Sequence, residues 1–202
     1  FAIRRQRQMC IRDSANPIYN KRIRLFAETS YIRAAHGGTG EAKAAGNYAA
    51  AILPTEKAKS KGFDQVLWLD ANNFKLIQEV GTMNIFFKIN NIIITPPLDG
   101  AILAGITRMS VIDLLKFKGY EVIERSITID EVLKASENGL LQEAFGTGTA
   151  VGVAMIEEIG YKDRIIHISN SNPVGQMVLD TINKVRIGQV QDELNWMVKV
   201  EI

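Results

Sequence analysis

The sequence predicts an α+β domain whose strands come in groups instead of alternating strictly with helices. Two observations carry this. Four short runs rich in β-branched and aromatic residues follow one another: QVLWLD (65–70), FKLIQEV (74–80), NIFFKIN (84–90) and IIITPP (92–97). They are separated by ANN, GTM and NN turn chemistry, as consecutive strands are. Helical periodicity lies before and after that block, so the helices are placed to cover a sheet.

Taken in order, Ala44 to Lys61 favours a helix through its alanines, Leu53, Glu56 and three lysines. Pro54 is expected to kink this helix and Gly62 to end it. The four runs then read as an antiparallel meander. GITRMSVIDLLKFKG (105–119) sets Met109, Val111, Ile112 and Leu115 in a helical stripe closed by a glycine. YEVIERSI (120–127) reads as a strand, and Thr128 with Glu131 three residues later forms a capping box that opens the next helix. LLQEAFGTGTAVGVAMIEEIG (140–160) reads as strand, glycine turn and apolar run. An amphipathic helix from about Pro173 to Ile187 and a closing strand, NWMVKVEI (195–202), complete the pattern.

At 202 residues, 47% hydrophobic and 23% charged, the chain is long enough for one sizeable core. A net charge of +2 with interspersed signs gives no footprint for nucleic acid or an anionic membrane, so neither partner is expected. The apolar runs fall short of the roughly 20 residues of a transmembrane helix. No secretory signal is read, and a cytoplasmic location is expected. Cysteine occurs once, at Cys10, which rules out an intrachain disulfide or a thiolate cluster, and His36 and His167 are too far apart to suggest a metal site. The opening FAIRRQRQMCIRDS carries four arginines without apolar period and resembles translated sequencing-adapter read-through. Residues 1–14 are therefore expected to be a non-native or disordered tail, and residues 15–202 the folded domain.

The chemistry concentrates in HGGTGEAKAAGNYAAA (36–51), where Lys43 stands between glycines and alanines. A phosphate-binding loop needs Gly-Lys-Ser/Thr, whereas Ala42 precedes this lysine and Ala44 follows it. A solvated charge at a helix entrance is the ordinary fate of a lysine. The small neighbours Ala42, Ala44, Ala45 and Gly46 leave a third reading open, in which Lys43 is desolvated and its neutral amine is available for covalent chemistry.

The blocks GGTGEAKAAGNY, QVLWLD, EVGTMNIFF, TPPLDGAILAGITR and FGTGTA occur together in this order. In that order and spacing the chain resembles the branched-chain amino-acid aminotransferases, pyridoxal-phosphate enzymes of fold type IV, over about residues 16–202. The resemblance implies the large C-terminal domain of that fold, a mixed and mostly antiparallel barrel-like sheet with surrounding helices. It implies pyridoxal 5'-phosphate as cofactor, with Lys43 both its covalent anchor and the general acid/base that moves the substrate Cα proton. Tyr48 is implied as the hydrogen-bond partner of the cofactor's phenolic oxygen. Glu79 is implied as the carboxylate that keeps the pyridine nitrogen protonated. Ile106 and Thr107 would meet the phosphate at a helix N-terminus. Thr149 would add a phosphate hydroxyl and, with the Ala150 amide, meet the substrate carboxylate.

The substrates implied are leucine, isoleucine or valine with 2-oxoglutarate/glutamate, in a homodimer. Two departures stand out. The family's smaller N-terminal domain, which brings an arginine to the phosphate and apolar residues to the substrate pocket, is expected to be absent from this chain. The redox Cys-x-x-Cys of animal members is replaced by Val151 and Ala154. A D-amino-acid transaminase or aminodeoxychorismate lyase would use the same lysine and glutamate, and a non-catalytic cofactor-binding fragment or scaffold is the alternative of another class.

Overall fold

The computed structural model describes residues 21–171, 173–198 and 200. The expected tail over 1–14 lies outside the described residues. Among the described residues nine strands form one sheet: β1 (Ile23–Ala27), β2 (Gln65–Leu69), β3 (Ile77–Val80), β4 (Met83–Ile89), β5 (Ile92–Thr95), β6 (Val122–Glu124), β7 (Leu141–Gly148), β8 (Gly152–Tyr161) and β9 (Arg164–His167). Their order is β3-β2-β1-β8-β7-β4-β5-β6, with β9 on β8. A further β3–β4 pairing joins the two halves, so β3, β2, β1, β8, β7 and β4 close into a barrel. β1 runs parallel to β2 and β8, and β5 to β6, while the remaining pairings are antiparallel. The expected meander is the succession β2–β3–β4–β5.

Side-chain alternation divides the core into two sides. Ile23, Leu25, Leu67, Leu69, Ile85, Phe87 and Ile156 pack inside the barrel. On the opposite face Phe86 and its cross-strand partner Phe145 stack at 5.2 Å. Over them lie α3 (Ile106–Phe117) and α5 (Pro173–Arg186) through Val111, Leu115, Val174 and Val178. α2 (Ile52–Ser60) covers Val66 and Trp68 with Ala58. α4 (Ile129–Glu137) closes the barrel from the other side through Ile129, Val132 and Ala135. Glu143, 1% exposed on β7, accepts the Val174 and Gly175 amides at 3.0 and 3.1 Å. A strand carboxylate thus caps α5 from outside the helix.

Several local expectations change. The helix after Lys43 breaks at Ala51 into α1 (Ala45–Ala50) and α2, and not at Pro54. Pro54 falls in the first turn of α2, where its missing N–H has no partner to lose. FKLIQEV is a strand only from Ile77, because Asp70 accepts the backbone amides of Asn72, Asn73, Lys75 and Leu76 and folds the chain into a loop. Phe74 takes φ 54° within it. Met109 leaves the buried stripe of α3 and is 43% exposed. The Thr128 capping box is half formed: Thr128 Oγ1 accepts the Glu131 amide at 3.0 Å, but the Glu131 carboxylate turns to Arg125. The strand over 120–127 shrinks to β6, and residues 195–198 and 200 form no strand.

Candidate functional site

Glu79 sits on β3 opposite Asn84 of β4, which is opposite Thr147 of β7. All three side chains are buried. One Glu79 oxygen, Oε1, accepts the Leu103 amide at 2.8 Å and faces Asn84 Nδ2 at 3.4 Å. The other, Oε2, faces Arg33 Nε at 3.0 Å. Burial pushes the Glu79 carboxyl up to about 7, against the downward pull of Arg33, the Leu103 N–H and Lys43.

The Lys43 loop is held from two sides. Asn47, buried at the start of α1, accepts from Thr39 Oγ1 at 2.6 Å and donates to the carbonyls of Thr39 and Ala42 at 2.7 and 3.0 Å. Arg33 Nη2 donates to the Gly40 carbonyl at 3.0 Å and to that of Ala101. Gly40 packs so closely on Ala101 that a Cβ there would collide with its backbone. Arg33 therefore ties together three pieces of the site: Glu79, the lysine loop and the segment leading into α3.

A small, shallow cleft opens between these pieces, lined by Arg33, Asn47, Tyr48, Glu79, Thr82 and Leu103. Tyr48, 36% exposed, stands at its mouth. Lys43 itself is exposed, which corrects the expectation of a desolvated amine: Ala42, Ala44, Ala45 and Gly46 are too small to cover it. Ile106 and Thr107 open α3 directly after the Leu103 clamp. Among the described residues no side chain caps that helix, so its first amides keep the unpaired N–H groups that an anion can meet. Thr149 and Ala150 form the exposed β7–β8 turn. That turn shares one end of the barrel with the β3–β4 turn, because Gly148 packs against Thr82 and Met83. The geometry thus joins Tyr48 and Glu79 in one cleft, with the α3 N-terminus beside it through Leu103; Lys43, Thr149 and Ala150 are not among the residues that line it.

Sequence reasoning passed over Arg33 and gave Asn84 and Asn47 no role. Their signal was local. Asn84 stood inside the E-x-G-x-x-N block and Asn47 inside AGNY, while Arg33 stood ten positions before Lys43.

Among the described residues no helix is long and apolar enough to cross a membrane. Residues 4–159 match the family described as amino-transferase class IV. The chain is 48% identical over 182 residues to branched-chain-amino-acid aminotransferase 2 of Bacillus subtilis (strain 168), covering 89% of this chain and 50% of that protein. It is 45% identical over 182 residues to a probable branched-chain-amino-acid aminotransferase of Staphylococcus aureus (strain N315), covering 89% and 51%. Among solved structures, the Escherichia coli branched-chain amino acid aminotransferase superposes with a TM-score of 0.73 at 26% identity, over 88% of this chain and 57% of that one. A second, the T.th. branched-chain amino acid aminotransferase complexed with N-(5'-phosphopyridoxyl)-L-glutamate, superposes with a TM-score of 0.74 at 28% identity, over 87% and 55%. The chain spans about half the length of the curated relatives it matches. Its barrel, its site blocks and these likenesses agree: the chain belongs to the class IV aminotransferases and is a homologue of the branched-chain aminotransferases.

Proposed function

We propose that this chain is the cofactor-binding part of a branched-chain aminotransferase that uses pyridoxal 5'-phosphate to exchange the amino group of leucine, isoleucine or valine with 2-oxoglutarate. The enzyme would act as a cytoplasmic homodimer. The single observation that carries the reading is the buried Glu79 carboxylate in a cleft shared with Tyr48. The donor set fits the group: an anion for a ring nitrogen, a phenol, an accessible amine, and open helix amides for a phosphate. The solved relative complexed with a phosphopyridoxyl-glutamate supports the same choice.

When bound, pyridoxal phosphate supplies the electron sink that lets a substrate Cα–H bond break. The chain's own residues do the rest. Lys43 would anchor the cofactor through its amine and, once the incoming amino acid has displaced it, would as a free amine hold and return the substrate Cα proton. Glu79, held by Arg33 and the Leu103 amide, offers a negative charge to the ring nitrogen. Tyr48 would hydrogen-bond the phenolic oxygen. Ile106 and Thr107 would hold the phosphate with backbone N–H groups, and Thr149 with the Ala150 amide would orient phosphate and substrate carboxylate.

The test is chemical trapping. Borohydride treatment of the protein with pyridoxal phosphate should label a peptide containing Lys43, and Lys43→Ala should abolish that adduct. Labelling spread evenly over surface lysines would overturn the assignment.

A further inference from the structure

We propose that Asn84 is a positioning residue that holds the carboxylate end of the site and its helix-N-terminal end in one register. This rests on the pyridoxal-phosphate reading above and assigns a residue that acts through Glu79 and Leu103. Asn84 is 6% exposed and is the direct cross-strand partner of Glu79. Its Nδ2 donates to the Leu103 carbonyl at 2.9 Å, while the Leu103 amide donates to Glu79 Oε1 at 2.8 Å. Both backbone polar groups of Leu103 are therefore gripped by neighbouring residues of two paired strands.

The same Leu103 carbonyl accepts the Gly105 amide at 2.8 Å, which turns the chain into α3. Gly105 seats against Asn84 so tightly that a Cβ there would collide with Oδ1. The place where α3 begins is thus set by β4, and the amides of Ile106 and Thr107 follow from it. An asparagine suits this task because its amide donates to a carbonyl and a carboxylate at once. An aspartate of the same shape would lose the donor and present a second carboxylate to Glu79.

The experiment compares wild type, Asn84→Ala and Asn84→Asp in three measurements. Amide exchange at Leu103 and Gly105 is followed without cofactor, and the Glu79 carboxyl is titrated by NMR. Affinities for pyridoxal phosphate and for pyridoxal are measured separately. The clamp requires Asn84→Ala to expose both amides and to cut the preference for the phosphorylated form by about tenfold, the worth of a lost buried hydrogen bond. Pyridoxal affinity should move far less, a split that general destabilisation would not produce. If the alanine variant does not fold, the isosteric Asn84→Asp is expected to shift the Glu79 titration upward and expose the same amides. Unchanged exchange, titration and preference would overturn the clamp. A wild type with no preference for the phosphorylated form would overturn the cofactor reading instead, and exchange at Leu103 and Gly105 would still decide the clamp.

Discussion

Arg33 Nε lies 3.0 Å from Glu79 Oε2, and the two side chains are only 8% and 4% exposed. A buried carboxylate is costly to ionise, and burial is the largest influence on Glu79, carrying it up to about 7. Arg33 works against that rise, and its other contacts to the Gly40 and Ala101 carbonyls fix it where it can do so.

Arg33→Met should therefore raise the Glu79 titration above its wild-type position near 7, observed by carboxyl NMR on the cofactor-free protein. The sign for stability follows. A carboxyl raised in the folded state contributes stability that is fully present below its ordinary value of 4.5 and is lost as pH rises through about 7. Glu79→Gln should flatten that loss in denaturation midpoints taken across the same range. A Glu79 titration that stays put in Arg33→Met would remove Arg33 from the account.

Asp70 behaves in the opposite sense. Burial pushes its carboxyl up, but the amides of Leu76, Lys75, Asn73 and Asn72 outweigh this and hold it below the ordinary 3.8. Its contribution is present above that ordinary value and is lost as pH falls through the depressed one. Asp70→Ala leaves those amides without their acceptor and should cost about 2 kcal/mol at neutral pH, with the difference from wild type shrinking in acid. Urea denaturation at neutral and acidic pH reads both.

The Asp70 loop also shows where the sequence stopped being informative. ANN was legible as turn chemistry, but FKLIQEV has a strand's composition throughout, and only the four amide bonds to Asp70 delay β3 until Ile77. The β2-to-β5 meander was legible because apolar runs and turns alternated at short range. Barrel closure was not, since it depends on the parallel pairing of β1 with β8 across more than half the chain. The same distinction divides the site. Lys43, Tyr48 and Glu79 carry their block signatures locally. Arg33 gives no such sign, because an arginine is ordinarily exposed and only the fold buries this one against Glu79.

Lys43, Thr149 and Ala150 are exposed, and Tyr48 is 36% exposed, so the cleft has a floor without an opposing wall. Cofactor retention asks for the Glu79 carboxylate and the α3 amides, which this chain supplies. Transamination asks in addition that the substrate be oriented and water excluded, which an open cleft does not achieve. Residues 15–202 alone should therefore bind pyridoxal phosphate measurably by equilibrium dialysis and show negligible leucine:2-oxoglutarate exchange. Fusing the small N-terminal domain that the family resemblance implies in front of Asn16 should restore turnover. Robust exchange by residues 15–202 alone would mean that the exposed face of the cleft is already the working one. An inactive but folded fusion that still binds the cofactor would favour a binding fragment over an aminotransferase.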